Sequence, residues 1–371
     1  MAFLNISVLK KLHRWAGLAL FIILSLLCLT GSLLLFEDEL EPFLLGLNVK
    51  PQAVGGPVWP RLDELAQRAV SQPGSEQVTR IYPSMSPNSP TRIRAKSLLG
   101  PDSEIERFIN PANGQVLSER QYKEIGLSRA SLMPTVKALH TKLLAGDIGE
   151  IILGVVAILW LLSGAAGVIL SMPRGRLRSK WPHGWRIKRL GSSYQLHRGG
   201  GLWLSGAVII FSVSAIVLVF EDGLFTDAKV APATQATNPI GFDAAAIVAH
   251  SQLPANGRDY RLASIRIESD KSRYRVDFSH EPAHGIWHRP QEQVYVDASN
   301  GQLLGRAGWL AETGVNTIKN LALPLHTGEV LGWPGRIAAL IAAILLVIQI
   351  IAGVWFWSRQ RARHARKQQV A

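Results

Sequence analysis

Residues 196–220, LHRGGGLWLSGAVIIFSVSAIVLVF, decide how this chain is built. A His-Arg pair runs directly into Gly201–Phe220, 20 residues without one ionisable side chain. About 20 apolar residues span the hydrocarbon core of a bilayer as a helix. Residues 12–36, LHRWAGLALFIILSLLCLTGSLLLF, repeat the pattern 184 positions earlier, with Trp15–Phe36 as the apolar part. Ile151–Met172 and Ile337–Trp357 are two further runs, of 22 and 21 residues, again without Asp, Glu, Lys, Arg or His. The expected fold class is an integral membrane protein of four transmembrane α-helices. Composition agrees: 47% of the 371 residues are hydrophobic and 18% charged, against about 25% charged in soluble domains.

The duplication extends through the chain. Phe36-Glu37-Asp38 matches Phe220-Glu221-Asp222 at the same offset. Asn110-Pro111-Ala112-Asn113-Gly114-Gln115-Val116-Leu117 matches Asp297-Ala298-Ser299-Asn300-Gly301-Gln302-Leu303-Leu304, and Leu139-His140-Thr141 matches Leu325-His326-Thr327. Gly146 and Gly149 match Gly332 and Gly335. Ordered matches at near-constant spacing mark an internal repeat. Each half reads as helix, long loop, helix, and the halves are parallel repeats.

The formal charge of +13 is unevenly placed. Pro173–Leu196 holds seven Lys or Arg and no acid, the tail from Ser358 holds five and no acid, and Lys10, Lys11 and Arg14 precede the first run. Such segments stay cytoplasmic by the positive-inside rule and are attracted to anionic lipid. The basic balance therefore labels topology and is not a nucleic-acid footprint. The expected order is a cytoplasmic start (1–14), a first span (15–36), a periplasmic module (37–150), a second span (151–172), a basic cytoplasmic loop (173–200), a third span (201–220), a second module (221–336), a fourth span (337–357) and a cytoplasmic tail (358–371). The first run is too long for a cleaved signal peptide and no small-x-small site follows it, so it reads as an uncleaved anchor in an inner membrane.

Each loop has the length for one small core and reads as a small α+β module. Glu64–Ser71 and Phe242–His250 show helical spacing after an opening Asp. Arg261–Glu268, Arg273–Phe278 and Gln293–Val296 alternate as half-buried strands do. Asn113-Gly114 and Asn300-Gly301 predict two-residue hairpin turns with positive φ at both positions. One cysteine, Cys28, excludes an intrachain disulfide, a zinc ribbon and a Cys-bound iron–sulfur cluster.

Four of the ten histidines are paired by the repeat. His13 and His197 lie at the cytoplasmic starts of the first and third helices; His140 and His326 precede the second and fourth on the far side. An imidazole pair is a poor zinc site, since zinc takes three or four protein ligands. Haem iron needs only two axial ligands, and neutral imidazole serves. Two pairs point to two b-type haems at two depths. An ion or proton relay and a plain interfacial role are the competing readings. Arg14 and Arg198, next to their histidines, are candidate propionate partners; Lys142 and Arg336 hold that place on the far side. Gly199, Gly200, Gly201 and Ala16-Gly17 leave room near a ring. His140 and His326 each precede their run by 11 residues. A continuous helix would lift each roughly 16 Å clear of the span at 1.5 Å per residue, unless Pro334 and the glycines fold the chain back. A separate cluster, His280, His284 and His288, suggests an exposed loop, with surface metal or substrate contact as the alternative.

Leu-His-Arg-x-x-Gly at the first and third helices, Ala138-Leu139-His140, Pro324-Leu325-His326-Thr327-Gly328-Glu329 and the paired Asn/Asp-x-x-Asn-Gly turns resemble the PepSY-associated transmembrane family over nearly the whole chain. Asn110 opposite Asp297 and Glu150 opposite Arg336 depart from strict repetition. That family includes iron-regulated inner-membrane proteins and ferric-siderophore reductases of the ferrioxamine-reducing type. The resemblance implies PepSY modules, axial haem ligation by His13, His140, His197 and His326, and an oxidoreductase passing electrons from the cytoplasmic side to a periplasmic ferric siderophore. No Gly-x-Gly-x-x-Gly unit is present, so a cytoplasmic reductase or membrane quinol must supply electrons. The rival expectations are a membrane-anchored PepSY binding or regulatory module without redox activity, and a metal or proton transporter.

Overall fold

A computed structural model describes residues 5–47, 61–84, 89–100, 103–172, 193–225, 230–235, 238–257, 260–279, 292–308 and 316–370. The helices are α1 (Ile6–Leu34), α2 (Glu37–Leu45), α3 (Leu62–Ser71), α4 (Leu132–Lys142), α5 (Gly146–Ser171), α6 (Ser193–Trp203), α7 (Ser205–Val219), α8 (Glu221–Leu224), α9 (Phe242–Ser251), α10 (Asn316–Thr327) and α11 (Gly332–Val370). The strands are β1 (Ser75–Tyr82), β2 (Thr91–Ser97), β3 (Glu104–Ile109), β4 (Val116–Gln121), β5 (Arg261–Glu268), β6 (Arg273–Ser279), β7 (Glu292–Asp297) and β8 (Leu303–Gly308). The chain divides into a helical unit (Met1–Phe36, Val136–Leu224, Ala322–Ala371) and a sheet unit (Glu37–Thr135, Phe225–Leu321).

In the helical unit, α1, α5 and α11 are each long and apolar enough to cross a membrane. The third run is not one straight span: α6 and α7 meet at Leu204 with a bend of 59°. Three successive glycines supply little helix propensity there. The Gln349 amide occupies the space that side chains at Gly200 and Gly201 would fill. Helix α1 starts nine residues before its apolar run because the Asn5 side chain caps it, accepting from the Ser7 N–H at 3.0 Å. His13 and Arg14 thus lie inside a helix. Helix α1 packs on α5 and α11, α5 on α6 and α7, and α11 on α6.

The corners before α5 and α11 answer the depth question left by the sequence. Leu143, Leu144 and Gly146 take φ of 50°, 59° and 61°, and Gly328 and Gly332 take 80° and 63°. Left-handed residues end a helix and redirect the chain. A side chain on Gly149 would collide with the Lys142 carbonyl, and one on Gly335 with the Gly328 carbonyl. The repeated glycines are therefore a steric requirement of the corner. His140 lies against Thr30 and Gly31 of α1, short of the end of that helix. The continuous-helix alternative does not hold.

The expectation of one small α+β module with its own core in each loop is corrected. All eight strands form one antiparallel sheet in the order β4-β3-β2-β1-β5-β6-β7-β8. The halves join where Arg80 faces Arg266 and Ile81 faces Ile265. Separate four-stranded sheets would each leave a central edge exposed, and pairing β1 with β5 removes both edges. Helices α3 and α9 cover one face, burying Ile81, Ile93, Ile265, Val276 and Val294 in one core. These helices cap each other. Asp63 accepts from the N–H groups of Phe242 and Asp243, and Asp243 from those of Leu62 and Asp63. The two helices expected in the loops and the three expected strands are present with ends shifted by two residues at most.

The Asn-Gly turns differ from expectation. Only Gly114 and Gly301 take positive φ, 70° and 75°. Their N–H groups donate to Asn110 O and Asp297 O four residues back. The side chains of Asn110 and Asp297 hold the N–H two residues on, as Asx turns do. This local bonding favours a longer loop over a two-residue turn.

Candidate paired-imidazole centres

All four repeated histidines are in the helical unit, and they come together in the pairs the duplication predicts. His13 of α1 and His197 of α6 stand with ring centroids 5.9 Å apart. His140 of α4 and His326 of α10 stand 6.3 Å apart.

Each ring is held at the same atom. His13 Nδ1 is 2.9 Å from the Ser163 carbonyl oxygen, and His197 Nδ1 is 3.2 Å from that of Gln349. His140 Nδ1 is 3.0 Å from Thr30 Oγ1, and His326 Nδ1 is 2.9 Å from Ser214 Oγ. A carbonyl oxygen only accepts, so these two bonds require the proton on Nδ1 of His13 and His197; the Gln349 amide nitrogen also stands 3.2 Å from His197 Nδ1. The two hydroxyls each have one proton and donate it within their helix, Thr30 to Leu26 O at 2.8 Å and Ser214 to Ile210 O at 2.5 Å. They accept from the imidazole, so His140 and His326 also carry Nδ1–H. With Nδ1 bonded in this way, a neutral ring at each position keeps its Nε2 lone pair for another partner. Metal-binding histidines are oriented by this same bond from the second nitrogen.

Glycines bring the helices close to three of these rings. A Cβ at Gly167 would sit 3.0 Å from His13 Cε1, one at Gly31 2.9 Å from His140 Cε1, and one at Gly353 2.8 Å from His197 Cε1. The glycines read from sequence as ring clearance act differently: Gly200 and Gly201 make room for the Gln349 side chain, and Gly17 has nothing within 4 Å. Gln349 also donates from its amide to the His197 carbonyl.

Sequence reasoning missed Thr30, Ser214, Ser163, Gln349, Gly31, Gly167 and Gly353. Most obey the repeat: Thr30 and Ser214 are 184 apart, Ser163 and Gln349 186, Gly167 and Gly353 186. Carrying the offset into the apolar runs would have found them.

The arginine assignments fare unevenly. Arg14 stacks over Trp15 at 5.4 Å, and Arg198 donates to the Ser171 carbonyl at the end of α5, 2.9 Å away. Lys142 is engaged by Glu150 at 2.7 Å and Asp147 at 2.9 Å; those hydrogen bonds raise its pKa. Arg336 is buried, donates to the Leu35 carbonyl and stacks on Phe36 and Trp333. His280, His284 and His288 lie outside the described residues, as do residues 173–192 of the basic loop. Among the described residues no group of three His, Cys, Asp or Glu has the geometry of a metal site. The four repeated histidines come together two at a time.

No curated protein matches the chain. A family model described as the PepSY-associated TM region matches residues 10–360. With nearly the whole chain matched, this protein belongs to the PepSY-associated transmembrane family.

Proposed function

We propose that the chain is a transmembrane electron carrier that holds two b-type haems and reduces ferric siderophores. The observation that carries this reading is the fourfold Nδ1–H anchoring of two imidazole pairs. With a metal–nitrogen bond of about 2.0–2.1 Å and a ring radius of about 1.2 Å on each side, two imidazoles sharing one metal would have their centres about 6.4–6.6 Å apart. The His140–His326 pair at 6.3 Å stands close to that spacing, and the His13–His197 pair at 5.9 Å would open by about half an ångström to reach it. Haem itself supplies one-electron exchange. The chain holds four half-buried imidazoles in position among apolar helices and anchors each at Nδ1.

On this reading α6 and α7 form one broken span, giving four spans in two parallel repeats with both termini cytoplasmic. The sheet unit is then periplasmic in a bacterial inner membrane. Each Fe(III)–siderophore takes one electron and becomes Fe(II), which hard oxygen donors hold less well. A quinol gives two electrons and two protons and so serves two ferric ions. A cytoplasmic reductase is the alternative donor.

The test is a dithionite-reduced minus oxidised spectrum of purified protein with a pyridine haemochrome count. Two b-type haems per chain are expected, falling to one in His140→Ala or His13→Ala. Colourless protein, after expression with ample haem, would sink the reading in favour of an anchored binding module.

A further inference from the structure

The face of the sheet opposite α3 and α9 carries one lateral row of charge. Across adjacent strands, Arg120 faces Glu106, Glu106 faces Arg94, Arg94 faces Arg80, Arg80 faces Arg266, Arg266 faces Arg275 and Arg275 faces Tyr295. Like charges directly opposite one another destabilise a sheet. Arg94, Arg80, Arg266 and Arg275 are four in succession, and they straddle the seam that joins the two halves.

The acids present do not neutralise the seam. Asp277, fully buried, is shared by Arg80 at 2.9 Å and Arg275 at 2.8 Å, and Ser264 also donates to it at 2.6 Å. Glu268 is shared by Arg266 at 2.9 Å and Arg273 at 2.7 Å. Four guanidiniums thus divide two carboxylates. Glu104, bonded by Thr79, stands opposite Lys96, and Asp270 shares its turn with Lys271, so neither reduces the surplus. Arg94 is taken by Glu106. The Nε of Arg266 is buried and has no acceptor among the described residues. Burial, and then the charge of Arg275, lowers the Arg266 pKa.

A groove of about 410 Å³ opens at this seam, its lining holding four cations, Arg80, Arg94, Lys96 and Arg266, against the acids Glu104, Glu268 and Asp270. Its volume falls among small-molecule sites, about 300–1,000 Å³. Guanidinium forks match planar carboxylates in pairs of hydrogen bonds. Arg80 and Arg266 stand opposite each other on neighbouring strands about 4.8 Å apart; Arg80 donates from Nε and Nη2 to Ser264 and from Nη2 to Asp277, and Arg266 from Nη2 to Glu268, so a ligand meets their remaining N–H groups, at a separation that suits carboxylates two or three carbons apart.

We infer that this groove binds a small polycarboxylate, either free or as the ligand of a ferric chelate. Only the chelate form rests on the reductase reading, and it then names a substrate class for it. The test is calorimetric titration of the full chain in detergent with citrate, ferric citrate and inorganic phosphate, at low and at physiological salt. Saturable binding of at least one citrate form is expected, with phosphate at least tenfold weaker. Arg266→Gln is expected to weaken citrate at least tenfold, and Lys96→Gln several-fold. Arg266→Lys keeps the charge without the fork and is expected to weaken it several-fold, which decides the matter where the Gln variant does not fold. Binding of ferric citrate alone identifies the chelate as occupant; equal binding of both forms identifies the carboxylates alone as what is recognised. Absence of saturable binding, indifference to every Arg266 variant, or phosphate as tight as citrate would overturn the inference. A haem-free wild type would overturn the reductase reading and leave this titration to be judged by itself.

Discussion

At the residue scale, the chemistry rests on which nitrogen carries a proton. Thr30 and Ser214 do more than fill space between helices. Each gives its only proton to a carbonyl four residues back and so can only accept from the histidine beside it. Removing that acceptor frees the ring to turn and to change tautomer. Loss of such an outer-shell bond typically costs about 10–100-fold in metal affinity. On the proposed di-haem reading, Thr30→Ala and Ser214→Ala are therefore expected to speed haem loss from the His140–His326 pair to an external haem scavenger by that order. The His13–His197 pair, held by main-chain carbonyls, is expected to be untouched and serves as an internal control. Equal loss from both pairs would contradict the tautomer argument.

At the element scale, turns and corners do the positioning. The loop between β7 and β8 is organised by Asp297, whose carboxylate accepts from the N–H groups of Thr234 and Ser299 and from the Ser299 hydroxyl. Burial raises its pKa, but these hydrogen bonds prevail and bring it from 3.8 down to about 2. A folded pKa below the unfolded one means stability that is present in full above about 4 and lost as pH falls towards 2. Asp297→Asn is expected to destabilise the sheet unit at neutral pH and to flatten the acid limb between those values, read by thermal melts at stepped pH. An unchanged acid limb would show that the turn is not the titrating element. The first half has Asn110 at the matching position, which cannot titrate, so this dependence belongs to one half alone.

At the scale of the whole molecule, the duplication is completed by pairing. In the sheet unit, β1 and β5 share a short seam, and the fully buried Ile81 and Ile265 meet there above helices that cap one another. Neither half closes its own core. Leu or Ile truncated to Ala in a packed core costs about 2–5 kcal/mol. Ile265→Ala is expected to lower the stability of the entire sheet unit by that amount in a single transition, followed by chemical denaturation of the full chain with tryptophan-independent circular dichroism. Two separate transitions, one untouched by the substitution, would show that the halves fold independently. In the helical unit the same logic holds, because each imidazole pair takes one histidine from each half.

By itself the sequence determined the apolar runs, the repeat offset, the paired histidines, and the helices and strands whose periodicity is local. These depend on the order of side chains along a few turns or residues, and translation of a repeat preserves that order. Only the tertiary structure decided that two loops make one sheet, that α6 and α7 are bent apart, and that His140 and His326 are folded back against α1 and α7. It also decided which atoms hold the rings, and which arginines stand in line. Those outcomes depend on strand edges, positive-φ corners and carbonyls meeting groups more than a hundred positions away, and spacing along the chain carries no record of which distant surface closes a given edge.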